Sequence, residues 1–310
     1  MAKTAARQIT GGYLNVNKGA GLTSMDVLRR IKRITGQQKV GHAGTLDPDA
    51  TGVLPVAIGK ATKFVDHVMH GRKRYSMTVR LGSATDTYDA SGEVTASSDA
   101  SSITEADVAE KLPDFTGELT QIPPMYSAIK RNGTPLYKLA RQGVEVEREP
   151  RAVSVYELKM RGWSHPDFDL EIECGSGFYA RSLAHDLGEA LGTHAHLLSL
   201  VRTRVGEFLI DDAVTLEALQ AAADRDEWEE QVMPIDAVLR HLPPISLNPL
   251  TGDQFRHGHP ARATPQEVEA SRVAPGALVR IYDSEGVLIA TATYDPSGPW
   301  WKPDKVIAPA

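Results

Sequence analysis

Cysteine is almost missing from this 310-residue chain: Cys174 stands alone, which excludes an internal disulfide and any cysteine-cluster metal site. Long apolar runs are missing too. None approaches the roughly 20 residues needed to cross a bilayer, so a membrane role has no support. The amino-terminal stretch MAKTAARQITGG lacks the apolar core of a signal peptide, and a cytoplasmic location is expected. There is no phosphate loop. Gly59-Lys60 follows the wrong glycine spacing and Ala61 stands where the Walker pattern needs a hydroxyl, which excludes nucleoside triphosphate binding. His194 with His196 and His257 with His259 are spaced like metal ligands, but no convincing carboxylate set accompanies them, so no metal site is expected. Internal repeats and low-complexity tracts are absent.

Positive charge is in deficit overall, with a formal net charge of -6, which by itself argues weakly against a nucleic-acid partner. The average conceals two segments of opposite character. Between Ala57 and Leu81, Lys60, Lys63, Arg72, Lys73, Arg74 and Arg80 face only Asp66, whereas between Glu207 and Asp236 ten acids face only Arg225. Such asymmetry suits a polyanion-facing side and a solvated acidic back, although two merely exposed faces would give the same pattern. With 41% hydrophobic and 24% charged residues, the chain is long enough for one large domain and one small one.

Periodicity places a strand at Leu14 to Asn17, then the loop Lys18 to Gly21. A helix from about Thr23 follows, with a Thr23/Asp26 capping box and an apolar face of Val27, Leu28, Ile31 and Ile34. Ala61 to His70 is expected to be helical, Arg74 to Leu81 a strand, Gly82 to Gly92 a polar turn, and Thr104 to Leu112 a capped helix. Gln121 to Pro150 opens on Pro123-Pro124 and interleaves Lys130, Arg131, Lys138, Arg141 and Arg148 with Tyr126 and Tyr137. Cations and rings together suit RNA, the cations meeting phosphates and the rings unstacked bases; a surface insertion with incidental tyrosines is the alternative. Strands at Val153 to Trp163 and Phe168 to Cys174 precede a helix from about Phe178 that stops at Gly192. Leu197 to Phe208 is a further strand and Thr215 to Ala223 an acidic helix. Past Pro243-Pro244, short strands at Leu278 to Tyr282 and Val287 to Tyr294 lead to Trp300-Trp301, as in a small β-domain.

The loop Gly41 to Leu54, GHAGTLDPDATGVL, sets a carboxylate, Asp47, before Pro48, which restricts it to an extended or turn conformation. Glycines at 41, 44 and 52 permit tight turns, and Val53, Leu54, Val56 and Ile58 anchor the far end as a buried strand. A structural Asp-Pro turn would look the same. Arg181 falls in the first turn of its helix, where the helix dipole prefers anions. Either a nearby carboxylate pairs with it or it faces solvent.

These residues resemble those of the bacterial tRNA pseudouridine-55 synthases, the TruB family, over nearly the whole chain. The shared stretches are Lys18 with GLTS at Gly21 to Ser24, GHAGTLDPDATGVLP at Gly41 to Pro55, GKATKF at Gly59 to Phe64, and Arg74-Tyr75. Further along come GSATDTYDASG at Gly82 to Gly92, IPPMYSAIKRNGTPLYKLAR at Ile122 to Arg141, FYARSLAHDLG at Phe178 to Gly188, and LLSLVRTRVGEF at Leu197 to Phe208. The resemblance implies an α+β fold: a catalytic domain, 1–242, with a central, largely antiparallel sheet and an RNA-gripping insertion, 121–150, then a small β-rich PUA-like domain, 243–310. It implies isomerisation of one uridine in the tRNA T-loop, with no cofactor, no metal and no obligate protein partner. Asp47 would be the catalytic carboxylate, Arg181 its partner, Tyr75 the ring that stacks on the flipped base and Leu200 the opposing apolar wall. His42 would fill the gap left by the base, while Lys18, Lys63, Lys130 and Arg141 would position phosphates of the T-arm. Three positions depart from the family pattern. Asn17 and Gly19 flank Lys18 where Asp and Pro are frequent, Ala180 replaces a larger apolar residue, and Asp49 stands where the family more often has a hydrophobe. The charge of Asp49 is expected to raise the pKa of Asp47. A non-catalytic tRNA-binding chaperone and a base-releasing glycosidase are the competing readings.

Overall fold

Residues 10–131 and 133–307 are described by the computed structural model. The signal-peptide reading of 1–9 therefore falls outside the described residues. The described residues open with β1 (Gly11–Lys18) and α1 (Ser24–Thr35). Thr23 and Asp26 form the expected capping box at the start of α1, and Gly36 ends it in the left-handed region at φ 69°. Next come β2 (Val40–His42) and β3 (Thr51–Gly59), the two arms that flank the Asp47 loop.

Instead of one helix over Ala61 to His70, there is a 3-10 turn, Lys60–Phe64, followed by the short α2 (Val65–Met69). No side chain caps the turn at Gly59, whose φ is 58°, and the segment is held by burial of Ala61, Phe64 and Val68 rather than by its own ladder. After β4 (Lys73–Leu81), the expected polar turn contains β5 (Ser83–Thr85), which pairs with β6 (Val94–Ser97). The capped α3 (Glu105–Lys111) and β7 (Gly117–Gln121) lead into the insertion. It carries a small hairpin, β8 (Lys130–Arg131) and β9 (Thr134–Pro135), and α4 (Leu136–Ala140).

The long strands β10 (Arg151–Ser164) and β11 (Asp167–Cys174) precede α5 (Ala180–Ala190), which starts two residues later than periodicity suggests. The delay has a visible cause. Tyr179 stays extended because the Gln121 side chain brackets its backbone, accepting from Tyr179 N at 3.0 Å and donating to Tyr179 O at 3.2 Å. Then follow β12 (Ala195–Val205), β13 (Phe208–Leu209), α6 (Leu216–Asp224) and β14 (Val232–Met233).

Among the described residues, ten strands make the main sheet in the order β14, β1, β3, β12, β4, β11, β10, β7, with β2 beside β3 and β13 beside β12. Every pairing is antiparallel except that of β3 with β12. Both faces of its centre are covered. In β3, Leu54, Val56 and Ile58 pack with α1 and α6, while Val53 and Ala57 pack with Phe64 and Val68, which explains why β3 reads as an unbroken apolar run.

The remaining segment holds a five-stranded sheet, β15 (Pro244–Ser246), β17 (Leu278–Tyr282), β18 (Leu288–Asp295), β19 (Trp300–Val306) and β16 (Ala261–Arg262), in that spatial order. The reading of short strands omits two helices, α7 (Pro249–Arg256) and α8 (Pro265–Ser271). Each opens on a capping side chain, Asn248 or Thr264, followed by proline at the first position, a start signal easily mistaken for a turn. Ile307 and Leu288 pack with Leu239, Val68 and Phe64, so the two sheets share an apolar seam. No helix among the described residues is long and apolar enough to cross a membrane.

Candidate active site

The Asp47 loop is pinned on both sides of its carboxylate by side chains from elsewhere. Before Asp47, Ser24 Oγ accepts from Leu46 N at 3.0 Å and donates to Leu46 O at 3.1 Å. After it, Pro48 O accepts from Gly21 N at 3.0 Å and from Lys18 Nζ at 2.8 Å. Lys18 spends its other ammonium protons on Leu22 O at 2.8 Å and Gly19 O at 3.0 Å. At 0% exposure, with its three ammonium protons directed to backbone carbonyls, Lys18 braces the loop in this structure. Burial also lowers its pKa, to about 8, against the opposing charges of Asp49 and Asp47.

Arg181, in the first turn of α5, is 5% exposed and has the carboxylate partner that its position demands. Its Nη2 lies 3.0 Å from Asp47 Oδ2, and its Nε lies 3.6 Å from Asp89 Oδ2. The same guanidinium donates to Thr87 O at 3.2 Å and to Tyr126 O at 2.8 Å. Asp89 is absent from the sequence-based site, although the motif GSATDTYDASG contains it. Desolvation raises the pKa of Asp47, even though its side chain is 43% accessible; Arg181 and Lys18 pull it back down, and Asp89 adds to the rise. Asp89, carried in by the fold, is thus a like charge acting on Asp47 from far along the chain. The charge of Asp49 bears on Lys18.

Tyr75, on β4, is opposite Arg202 of β12 in the sheet register, and its buried phenol is held above the usual tyrosine pKa by desolvation, with Arg202 acting against the rise. Leu200, two residues earlier on β12, packs against both flanking clusters. His42 on β2 keeps a buried Nδ1 with no hydrogen-bond partner, and burial with the nearby Arg202 charge lowers its pKa, favouring the neutral ring. Tyr179, unassigned from sequence, feels the charges of both Arg181 and Asp47, and burial raises its pKa. The four phosphate candidates separate. Lys130 and Arg141 are exposed on the insertion, whereas Lys63 sits at the seam between the sheets and donates to Val306 O at 2.8 Å.

Asp47, Arg181 and Tyr75 thus come from a loop, a helix start and a strand that are far apart in sequence. Residues 32–180 match the model for the TruB family pseudouridylate synthase N-terminal domain, and residues 181–241 match that for the tRNA pseudouridylate synthase B C-terminal domain. A Dehalococcoides mccartyi protein named tRNA pseudouridine synthase B is 40% identical over 289 residues, 93% of this chain and 94% of its own length. One of the same name from Burkholderia mallei is 43% identical over 287 residues, again 93% of this chain and 94% of its own. The chain belongs to the TruB family. A crystal structure of a Cbf5-Nop10-Gar1 complex contains a chain similar over 96% of this one and 85% of its own length, with TM-score 0.71 and 26% identity. The mixed sheet with a β-rich carboxyl-terminal part is therefore the fold of TruB-family pseudouridylate synthases.

Replacing Lys18 by Met tests its placement. The variant leaves Leu22 O and Gly19 O without the Lys18 donor and Pro48 O with Gly21 N alone, so chemical denaturation is expected to show a loss of about 3 kcal/mol. The salt dependence of RNA binding is expected to stay at the wild-type slope. A slope reduced by about 0.7 to 0.9 would instead return Lys18 to the phosphates.

Proposed function

We propose that this TruB-family protein isomerises the T-loop uridine at position 55 of tRNA to pseudouridine, with Asp47 as the reacting carboxylate. The observation that carries the reading is the ion pair of Asp47 with the buried Arg181, flanked by Tyr75 and set in a loop whose backbone is fixed on both sides. The reaction exchanges a C1'–N1 bond for a C1'–C5 bond, and the proton lost at C5 is balanced by one gained at N1. Product and substrate have the same mass, and no oxidant, reductant or co-substrate enters the balance. An ionised Asp47 assists departure of the base as nucleophile or as electrostatic partner of the sugar, and afterwards takes part in proton abstraction. Arg181 keeps the carboxylate charged against the desolvation around it.

The base has to leave its stack to reach Asp47. Tyr75 offers a ring on which it stacks, Leu200 an apolar wall, and His42 a flat, neutral group to take its place in the loop. Exposed Lys130 and Arg141 on the insertion, 121–150, meet T-arm phosphates, while Lys63 contributes from the seam. In this reading 1–242 form the catalytic domain and 243–310 a PUA-like domain, and the protein works in the cytoplasm. A chaperone that only binds tRNA has no use for a carboxylate whose backbone is held so firmly. A base-releasing glycosidase would yield free uracil, a product easily told from pseudouridine.

Asp47→Asn is expected to abolish pseudouridine formation on an unmodified tRNA transcript, mapped chemically by position, while tRNA affinity stays within about threefold, because binding rests on phosphate contacts. Near-normal turnover would remove Asp47 from the chemistry. Neutralising Lys130 and Arg141 together is expected to weaken binding and flatten the plot of log affinity against log salt by roughly one to two units, with little change in single-turnover rate at saturating tRNA. An unchanged slope would show that the insertion does not meet phosphates and would shift that role to the basic segment between Ala57 and Leu81.

A further inference from the structure

Arg202 is among the largest fully buried side chains of the protein, 1% exposed, and among the described residues its partners are carbonyls and a phenol rather than a carboxylate. Burying a cation without a counter-ion is costly, and a residue that served only to fill the sheet would be apolar. The partners show what the cation holds. Nε donates to Val53 O at 2.7 Å, Nη2 to Gly44 O at 3.0 Å and Nη1, more weakly, to Thr45 O at 3.4 Å. Gly44 and Thr45 precede Asp47, and Val53 follows it on β3, so one guanidinium ties both arms of the Asp47 loop. It also makes a side-chain hydrogen bond to Tyr75, its register partner across the β4–β12 pairing.

The fit is close from the other side as well. Gly52 has φ 97°, and a Cβ there would lie 2.3 Å from Arg202 O, so the loop's return is pressed against the backbone of this same residue. A planar fork with donors on three nitrogens can reach two separate chain segments and a phenol at once, which a single ammonium cannot do. The charge is also felt locally: it adds to the burial that lowers the pKa of His42, Lys18 and Lys73, and works against the burial that raises those of Tyr75 and Cys174.

We propose that Arg202 is a positioning residue for the isomerisation: it fixes the Asp47 loop from both arms and orients the Tyr75 hydroxyl, so that carboxylate and stacking ring keep one relative geometry. This rests on Asp47 being the reacting carboxylate. Arg202 touches neither the base nor the sugar, and its loss acts through misplacement of groups that do. A displacement of about 1 Å at a reacting group costs on the order of 100-fold in rate.

The test uses the full chain, an unmodified tRNA transcript and the variants Arg202→Lys, Arg202→Met and Tyr75→Phe. Arg202→Lys keeps the charge and loses the fork. It is expected to melt cooperatively, bind tRNA within about threefold of wild type, and lose about 100-fold in single-turnover rate at saturating tRNA. Arg202→Met is expected to lose at least as much rate. Combined with Tyr75→Phe, the lysine variant is expected to lose less than the product of the two separate losses, because both act on one hydrogen bond. A lysine variant within about twofold of the wild-type rate, a loss that vanishes at saturating tRNA, multiplicative losses in the double variant, or a lysine variant that no longer melts cooperatively would each overturn the proposal. Asp47→Asn run in parallel separates the two readings. If it retains turnover, the function proposed above fails; if it is inactive while Arg202→Lys is not, only the role of Arg202 fails.

Discussion

The pairing of Asp47 with Arg181 is the contact on which the geometry of the site depends. One guanidinium gathers the Asp47 loop, Asp89 and Thr87 from the segment after β5, and Tyr126 from the root of the insertion. With Asp47 nearly half accessible, solvent screens much of the Coulombic attraction, so the pair contributes less to stability than to orientation. Its chemical effect is on charge. Desolvation pushes Asp47 towards the neutral acid and Asp89 pushes the same way, while Arg181 opposes both.

The rest of the fold keeps that contact in place. Ser24, Lys18 and Arg202 hold the backbone of the loop at Leu46, Pro48, and Gly44 with Val53, three anchors from β1, the start of α1 and β12. The helix that carries Arg181 is fixed in turn by the insertion root: Gln121 brackets the Tyr179 backbone, and Ser182 Oγ donates to Ile122 O at 2.8 Å. The element proposed to grip tRNA is therefore hydrogen-bonded at its base to the helix start that carries Arg181.

Much of this was legible in the chain. The capping boxes at Thr23 and Thr104, the buried run of β3 and the carboxylate partner of Arg181 follow from local rules that tertiary packing did not override. What was not legible depends on residues distant in sequence. Lys18 reads as a surface cation beside a glycine loop, and only the approach of Pro48 and Leu22 turns it into a buried donor. Asp89 bears on Asp47 although it lies 42 residues away in the chain, because the segment after β5 brings it beside Arg181. Arg202 alternates within an ordinary strand pattern, and nothing local marks its guanidinium as lying under a loop some 150 residues earlier, at separations of 149 to Val53 and 158 to Gly44.

The central claim is that Asp47 reacts as a carboxylate whose ionisation is set by desolvation and by two opposed neighbours, Arg181 and Asp89, and the acid limb of the rate-pH profile reads it most directly. Because the pKa of Asp47 is raised, single-turnover activity is expected to fall with decreasing pH through a midpoint above the usual aspartate value of about 3.9. Arg181→Met should move that midpoint to higher pH and Asp89→Asn to lower pH, whatever either does to the plateau. Shifts of opposite sign are the predicted result; a midpoint that stays put in both variants, or moves the same way in both, would contradict the account.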